Sequence, residues 1–410
     1  MLRRTMTALA AAMAMLLSVV AVPSAGADPA FDRNVSFEQF MNTDILMGSF
    51  FATDADHSDT VYISTDGVNF EEVATAYQDA FPGDPGNNVS TLGPIHYTLG
   101  DPSIMYHNGA FWMLSGWNRG DGKFWPMIGV SYDARHWSFP EGLRFGPDYD
   151  GIPMFPGPRF GVDTVAPEWV RDNAGNVYIM FSAGDFGQFH GRPMQDRMEP
   201  YLVKIDELTL HGMDDRLPHI TMRAQPAHRI NLPNPDADRI DGSAFQDEDG
   251  MFYMTIKRDG RFNEVYRSWN MGTDGWERIA DGVQFMTEGP TIAKLNGRYY
   301  MYTDRIDQPR HNVVAVADWP GGPWHHIGPI QTWGKPNRHG TVVRVTDPVA
   351  KARLYTAYTG RPAPGNAAMG NHPIIDQINA FMLQVKNFLH LPRVPNGRCN
   401  GLANCQIIWV

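Results

Sequence analysis

Short apolar runs separated by tight-turn signals recur along the chain. In four segments a polar or small residue opens an apolar run, a turn rich in Asn, Asp and Gly follows, and an aromatic-rich run completes the unit. These segments are residues 101–114, 166–181, 241–254 and 288–302. Asn-Gly and Asp-Gly accept the positive φ angles of a hairpin turn, so each segment is predicted to be a β-hairpin. A fifth, looser copy comprises residues 339–343 followed by 354–358.

The spacing of these units predicts an all-β, five-bladed β-propeller. Their first residues lie 65, 75, 47 and 51 positions apart, which leaves room in each interval for two more strands. Four-stranded sheets repeated around an axis form a propeller. Residues 47–51 and 60–64 are strand-like but have no inner hairpin before them, and the fifth copy ends early. We therefore predict that the N-terminal strands complete the last blade and close the ring without a free sheet edge.

The N-terminal residues have the pattern of an export signal. Arg3 and Arg4 precede an apolar run over residues 7–22, and Ala-Gly-Ala at 25–27 matches a cleavage site. We predict a signal peptide over 1–27 and a secreted mature chain that begins at Asp28. A membrane anchor is disfavoured because the run is shorter than the ~20 residues of a span. No later segment is apolar and long enough to cross a bilayer.

The remaining chain divides into a propeller and a tail. The propeller is expected over residues 28–360 and a C-terminal extension over 361–410. Apolar periodicity predicts a helix near residues 374–390, which we expect to pack on the outside rather than to bind a partner. Cys399 and Cys405 are the only cysteines, and in an exported protein they are expected to form a disulfide.

Composition narrows the choice of partners. The formal net charge of −11 argues against nucleic acid and against an anionic membrane surface. Aromatic residues make up 12% of the chain. They suit a sugar-binding protein, because sugar rings present apolar C–H faces, but most of them also suit a packed core. The sequence leaves the oligomeric state open.

The first residue of each inner strand is expected at one mouth of the central channel. These residues are Asp101, Ala166, Asp241, Glu288 and His339. Taken singly, each acid also suits a turn-capping role. Three acids at one register favour a functional cluster, and clustered carboxylates raise one another's pKa. Hydrolysis of a glycosidic bond needs two carboxyl groups, and a third tunes and orients the acid.

These motifs resemble glycoside hydrolase family 43 and its relatives, five-bladed propellers that act on arabinofuranosides, xylosides and galactofuranosides. The matching pieces are Asp101-Pro102-Ser103-Ile104, Ala166-Pro167-Glu168, Asp241-Gly242-Ser243, Glu288-Gly289-Pro290-Thr291 and His339-Gly340-Thr341. The resemblance spans residues 47–360. Each motif is short, and it is their order that is specific. The second-blade motif departs from the family, which often has Asp where this chain has Glu168, so we assign that residue no role.

The resemblance implies roles for these residues. Asp101 would be the general base, Glu288 the general acid, and Asp241 the residue that tunes and orients Glu288, in an inverting reaction. The implied substrate is an oligo- or polysaccharide, with arabinofuranosides the first expectation. No cofactor is required, although the family implies that His339 lies beneath the sugar and helps to hold a central calcium ion through water. Hydrogen bonding of His339 to a neighbouring blade is the alternative.

For the other candidate substrate-binding residues, a purely structural role is the alternative. Trp117, Trp125 and Phe186 suit sugar stacking or core packing. Arg305 suits a sugar hydroxyl or a salt bridge.

Two other functions remain open from the sequence. One is a retaining fructoside-type hydrolase on a related five-bladed fold. The other is a sugar-binding propeller without catalysis, for which three converging acids are not needed.

Overall fold

The protein is built from antiparallel β-hairpins. Its structure is a computed structural model that describes part of the chain. The described residues are 32–78, 88–90, 93–95, 98–118, 124–139, 163–184, 198–213, 218–235, 237–258, 262–307 and 309–365. The predicted signal peptide, the tail helix over 374–390 and the Cys399–Cys405 disulfide all lie outside these residues. Neither described helix is long and apolar enough to span a membrane.

The strands follow the chain blade by blade. The N-terminal strands are β1 (Leu46–Phe51), β2 (Asp59–Ser64), β3 (Glu71–Gln78), β4 (Asn88–Ser90) and β5 (Gly93–Ile95). Blade one contains β6 (Thr98–His107), β7 (Ala110–Asn118) and β8 (Phe124–Ser131). Blade two contains β9 (Asp163–Arg171), β10 (Val177–Gly184), β11 (Glu199–Met213), β12 (Pro218–Ala224) and β13 (His228–Arg229). Blade three contains β14 (Arg239–Gln246), β15 (Phe252–Arg258), β16 (Phe262–Ser268) and β17 (Glu277–Phe285). Blade four contains β18 (Thr287–Leu295), β19 (Arg298–Arg305), β20 (Asn312–Ala317) and β21 (His325–Pro329), and the last strand is β22 (Arg338–Arg344).

The predicted hairpins and five-bladed propeller are confirmed. At the Asn108-Gly109 turn the φ angles are 47° and 79°, and at Asn296-Gly297 they are 50° and 77°, as a two-residue hairpin requires. The five innermost strands are β6, β9, β14, β18 and β22, and each contacts the innermost strands of both neighbouring blades.

Blade five is closed by the two ends of the fold, as predicted. Its strand order is β22-β1-β2-β3, so the innermost strand comes from the C-terminal side and the outer strands from the N-terminal side. Gly340 lies at this junction, where a β-carbon would stand 1.8 Å from the carbonyl oxygen of Ser49. Only glycine therefore allows the two strands to approach this closely.

The hydrophobic core lies between blades. Successive side chains of a strand point to opposite faces. In blade one, Trp112 packs toward blade two and Met113 toward blade five. Because each blade is covered on both faces, strands such as β2 and β10 are buried along their whole length.

The prediction that residues 354–358 form a strand is wrong. They belong to helix α2 (Pro348–Thr359), which packs against α1 (Phe37–Asn42). The Asp347 side chain accepts hydrogen bonds from the first turn of α2, Pro348 starts the helix, and Gly360 ends it with φ 73°. These local signals outweigh the aromatic content of the segment.

Candidate active site

A β-bulge near the start of four innermost strands aims side chains at the channel. Two residues of the innermost strand oppose one residue of the next strand in each of these four blades. The first bulge residue has a positive φ of 51° at Asp101, 46° at Ala166, 59° at Asp241 and 56° at Gly289. Positive φ is unfavourable for residues other than glycine, and such strain is often found at functional sites. Asp101 and Asp241 therefore occupy equivalent positions, as predicted.

Glu288 does not share this register, and that expectation is corrected. In blade four Gly289 occupies the bulge position, so Glu288 lies one residue earlier and pairs with Asp304 of β19. A β-carbon on residue 289 would lie 2.3 Å from the His339 ring, so only glycine fits there. Glycine at the bulge position of blade four thus leaves room for the ring of His339, and the acid of this blade lies one residue earlier.

His339 forms an ion pair with Asp101. Its Nδ1 lies 3.1 Å from Oδ1 of Asp101, and the imidazole is almost entirely buried. Burial alone would lower the pKa of His339, but the negative charges of Asp101, Asp241 and Glu288 outweigh it and raise the pKa to about 10. The imidazole is therefore a cation at neutral pH.

Asp101 is held in its ionised form. Burial would raise the pKa of Asp101, but the charge and hydrogen bond of His339 lower it below its usual value. About a third of the Asp101 side chain remains exposed, so water reaches this carboxylate. It is an ionised, accessible base.

Asp241 lies in a different environment. It is buried, and its Oδ2 accepts a hydrogen bond from the backbone N–H of Gly289 at 3.2 Å. Burial raises the pKa of Asp241 above its usual value, and the charges of Glu288 and Asp101 act in the same direction against those of His339 and Lys257. Asp241 therefore holds a proton more readily than Asp101 does.

Glu288 is held by cations that the sequence analysis missed. Lys257 Nζ lies 3.0 Å from Oε2 of Glu288, and Arg338 Nη2 lies 3.3 Å from Oε1. Both cations are buried. Burial lowers the pKa of Lys257, but the charges of Asp241 and Glu288 raise it above its usual value. The sequence signal was present, since Lys257 follows the apolar run of β15 and Arg338 directly precedes the fifth motif.

Arg338 connects Glu288 to two further carboxylates. Its Nε donates to Asp304 Oδ2 at 2.6 Å and its Nη1 to Asp54 Oδ1 at 2.6 Å. The guanidinium also lies over the Phe51 ring, 5.2 Å from the centroid. A guanidinium with this many partners has little freedom to move, so it fixes the orientation of the Glu288 carboxyl group.

A polar layer lies deeper in the channel, two residues along each innermost strand from the bulge position. It consists of Ser103, Glu168, Ser243, Thr291 and Thr341, all buried. The hydroxyl of Thr341 in blade five lies 2.6 Å from both carboxyl oxygens of Glu168 in blade two. Because these blades are not neighbours, the contact crosses the channel axis. Glu168 therefore points into the channel and not outward.

Burial is the main influence on the pKa of Glu168. It raises the pKa of Glu168 to about 7, although hydrogen bonds from Ser103 and Thr341 and the charge of His339 act to lower it. Glu168 is thus a proton-binding group directly beneath the Asp101–His339 pair.

Of the other predicted binding residues, only Arg305 has a described side chain. Arg305 forms an ion pair with Asp307, which is the salt bridge named above as the alternative to sugar binding. The side chains of Trp117 and Trp125, and all of Phe186, lie outside the described part. Within the described residues no group of three or more His, Cys, Asp or Glu side chains is arranged to hold a metal ion.

The calcium role of His339, through water, stays a prediction. Nδ1 is engaged by Asp101, and the Nε2 side of the ring lies against the backbone of Gly289. These contacts disfavour direct ligation of a metal ion by the ring and do not bear on a contact through water.

Comparison with known proteins gave matches among solved structures only. The sequence matches no protein-family model and no curated protein. Its structure is similar to those of family-43 glycoside hydrolases. An exo-β-1,3-galactanase from Clostridium thermocellum has 14% identity and a TM-score of 0.41, covering 56% of this chain and 48% of that one. The exo-β-1,3-galactanase from Phanerochaete chrysosporium has 14% identity and a TM-score of 0.40, covering 56% and 49%.

A thermostable family-43 glycoside hydrolase has 18% identity and a TM-score of 0.37, covering 58% of this chain and 73% of that one. The match spans about half the length of the two galactanases. Similarities of this extent add nothing to the propeller that the sheets themselves show, and they do not identify a substrate.

Proposed function

We propose that the protein is an inverting glycoside hydrolase with its active site at the mouth of the channel. The observation that carries this proposal is the meeting of carboxylates from blades one, three and four around a single charged imidazole, with Asp101 and Asp241 in opposite ionisation environments. Divergent environments of this kind are typical of acid–base catalysis. They favour an ionised base at Asp101 and a proton on the side of the site that Asp241 shares with Glu288. A sugar-binding role alone would not need this division.

Asp101 suits the general base. It is ionised and reached by water, and His339 holds its carboxylate in one orientation. In the proposed reaction Asp101 accepts a proton from the water molecule that attacks the anomeric carbon. A new C–O bond forms on one face of the sugar while the glycosidic bond breaks on the other.

Glu288 suits the general acid, with Asp241 beside it. Glu288 would deliver a proton to the leaving oxygen, so that the broken bond yields a neutral alcohol. Asp241 accepts a hydrogen bond from the Gly289 backbone next to Glu288, and the positive charge of Lys257 interacts with both carboxyl groups. Lys257 and Arg338 favour the ionised form of Glu288, whereas burial raises the pKa of Asp241. We infer that Asp241 keeps a proton available in this part of the site and that the two cations orient Glu288 for its delivery.

The expected base–acid separation is ~6.5–9.5 Å for inversion and ~5–5.5 Å for the retaining alternative. Proton NMR of the first product anomer separates the two reactions. The substrate stays a proposal: arabinofuranosides come first from the sequence resemblance, and the similar structures include enzymes named for β-1,3-galactan. Aryl arabinofuranosides, xylosides and galactofuranosides, with β-1,3-galactan, form the test panel. We also propose secretion, which N-terminal sequencing of the exported protein tests.

Two variants test the catalytic roles. We expect Asp101→Asn and Glu288→Gln each to lower kcat at least ~10²-fold on unactivated substrates. Glu288→Gln should lose much less on aryl glycosides with good leaving groups, because these leave without protonation, whereas Asp101→Asn should lose the same on both. Near-normal rates in both folded variants would reject the proposal, and equal losses on both substrate types would reject the acid role of Glu288.

A further inference from the structure

A cleft of about 750 Å³ lies between blades three and four. One wall is β17, and the other is formed by β20, β21 and the corner between them. We call this feature the interblade cleft. Thr287, the residue directly before Glu288, and Arg305 are among its lining residues. Its volume is within the range of about 300–1,000 Å³ that is usual for ligand-binding clefts.

Large apolar side chains are exposed where this cleft meets the channel mouth. Phe285 is 60% exposed and Met286 is 37% exposed. One side of the Phe285 ring packs on Phe262, with centroids 5.4 Å apart. The other side is left as an apolar surface of the size and shape that a sugar ring covers.

This apolar surface is rigidly presented. Gln284 and Met286 flank Phe285 with positive φ angles of 50° and 59°. Thr303 donates a hydrogen bond to Gln284 Oε1 at 3.0 Å, and the Ile306 N–H donates to the Met286 carbonyl at 3.1 Å. Strained backbone held in this way is often found at ligand sites.

Polar side chains also line the cleft. Gln284 and Trp324 are among its lining residues, and within the described residues their Nε2 and Nε1 atoms are buried just beneath its surface without a hydrogen-bond partner. The Arg305–Asp307 ion pair adds exposed donors and acceptors at the rim. A glycan presents apolar C–H faces beside hydroxyl groups. An exposed aromatic ring beside polar side chains is the surface that such a ligand requires.

We propose that the interblade cleft binds the part of a polysaccharide that continues beyond the leaving-group oxygen, with a sugar residue stacked on Phe285. This inference rests on the proposed function. It places the chain on this side because Thr287, which lines the cleft, directly precedes Glu288, the proposed proton donor to that oxygen. Arg305 then acts as a substrate-binding residue at a distance from the bond that is cleaved.

The test measures binding to polymers without turnover. In the Glu288→Gln background, affinity electrophoresis and calorimetry are carried out with arabinan, arabinogalactan and β-1,3-galactan. We expect Phe285→Ala to weaken binding of the recognised polymer about three- to tenfold, the range expected for loss of one stacked ring. The loss should be greater for the polymer than for its monosaccharide. Trp269→Ala is the matched control, because Trp269 is 65% exposed but lies outside the cleft, and it should bind as the parent does.

Three other outcomes would contradict the assignment of the interblade cleft as a polysaccharide-binding site. Equal polymer binding by the Phe285→Ala and Trp269→Ala variants, with hydrolysis by the wild-type protein, would overturn the cleft assignment and leave the proposed function intact. A change in sedimentation mass of the Phe285→Ala protein would identify the cleft as a self-association surface instead. If the wild-type protein cleaves no member of the substrate panel and the Glu288→Gln protein binds none of the polymers, both proposals are overturned.

Discussion

Replacing Glu168 by Gln should remove a pH-dependent loss of stability. The folded protein keeps the Glu168 proton up to a pKa of about 7, whereas the reference value for an unperturbed glutamate is 4.5. The contribution of this group to stability is therefore fully present below pH 4.5 and is lost as the pH rises to about 7. Gln has nearly the same shape and does not titrate. The Thr341 hydroxyl can donate to its carbonyl oxygen or accept from its amide.

The size of the effect follows from the two pKa values. The difference is about 2.5 pH units, and one unit corresponds to about 1.4 kcal/mol, so the total is about 3 kcal/mol. We expect the two proteins to have similar free energies of unfolding at pH 4. By pH 8 the Glu168→Gln protein should be more stable than wild type by about 3 kcal/mol.

The assay is urea unfolding followed by tryptophan fluorescence at intervals between pH 4 and pH 8. Titrating groups remote from Glu168 are common to both proteins and cancel in the difference, whereas His339 and Asp101 interact with its charge. Glu38→Gln, an exposed residue in the first turn of α1, is the control and should change stability by less than about 0.5 kcal/mol at every pH. Infrared difference spectra should also show a protonated carboxyl band near pH 6 that the Glu168→Gln protein lacks. A stability difference that stays constant with pH, together with an unchanged carboxyl band, would refute burial as the cause.

Two further predictions concern the His339 ion pair and ring closure. His339→Gln removes the cation that lowers the pKa of Asp101, so the acidic limb of the pH–rate profile should move to higher pH; an unmoved limb would contradict Asp101 as the base. Gly340→Ala places a β-carbon 1.8 Å from the Ser49 oxygen and should cost more than about 4 kcal/mol or prevent folding. Gly272→Ala, with open space around its β-carbon, should cost less than about 1 kcal/mol; similar denaturation midpoints for the two alanine variants would contradict the closure geometry.

Local pattern alone determined most of the fold. Asn108-Gly109 and Asn296-Gly297 predicted their hairpins because few other residue pairs accept two consecutive positive φ angles. Alternation and spacing then predicted the blades and their closure by the N-terminal strands. The helix over Pro348–Thr359 was missed although its caps are local, because its aromatic residues suggested a strand.

Only the tertiary structure decided how the site is assembled. The acids were visible in the sequence, but only the strand pairing shows that Glu288 lies one residue before the bulge position, where Gly289 leaves room for the His339 ring. Likewise, the contact of Thr341 with Glu168 joins blades two and five across the axis. A strand pattern specifies which face a side chain occupies, whereas partners and pKa values depend on residues that meet only when the ring closes.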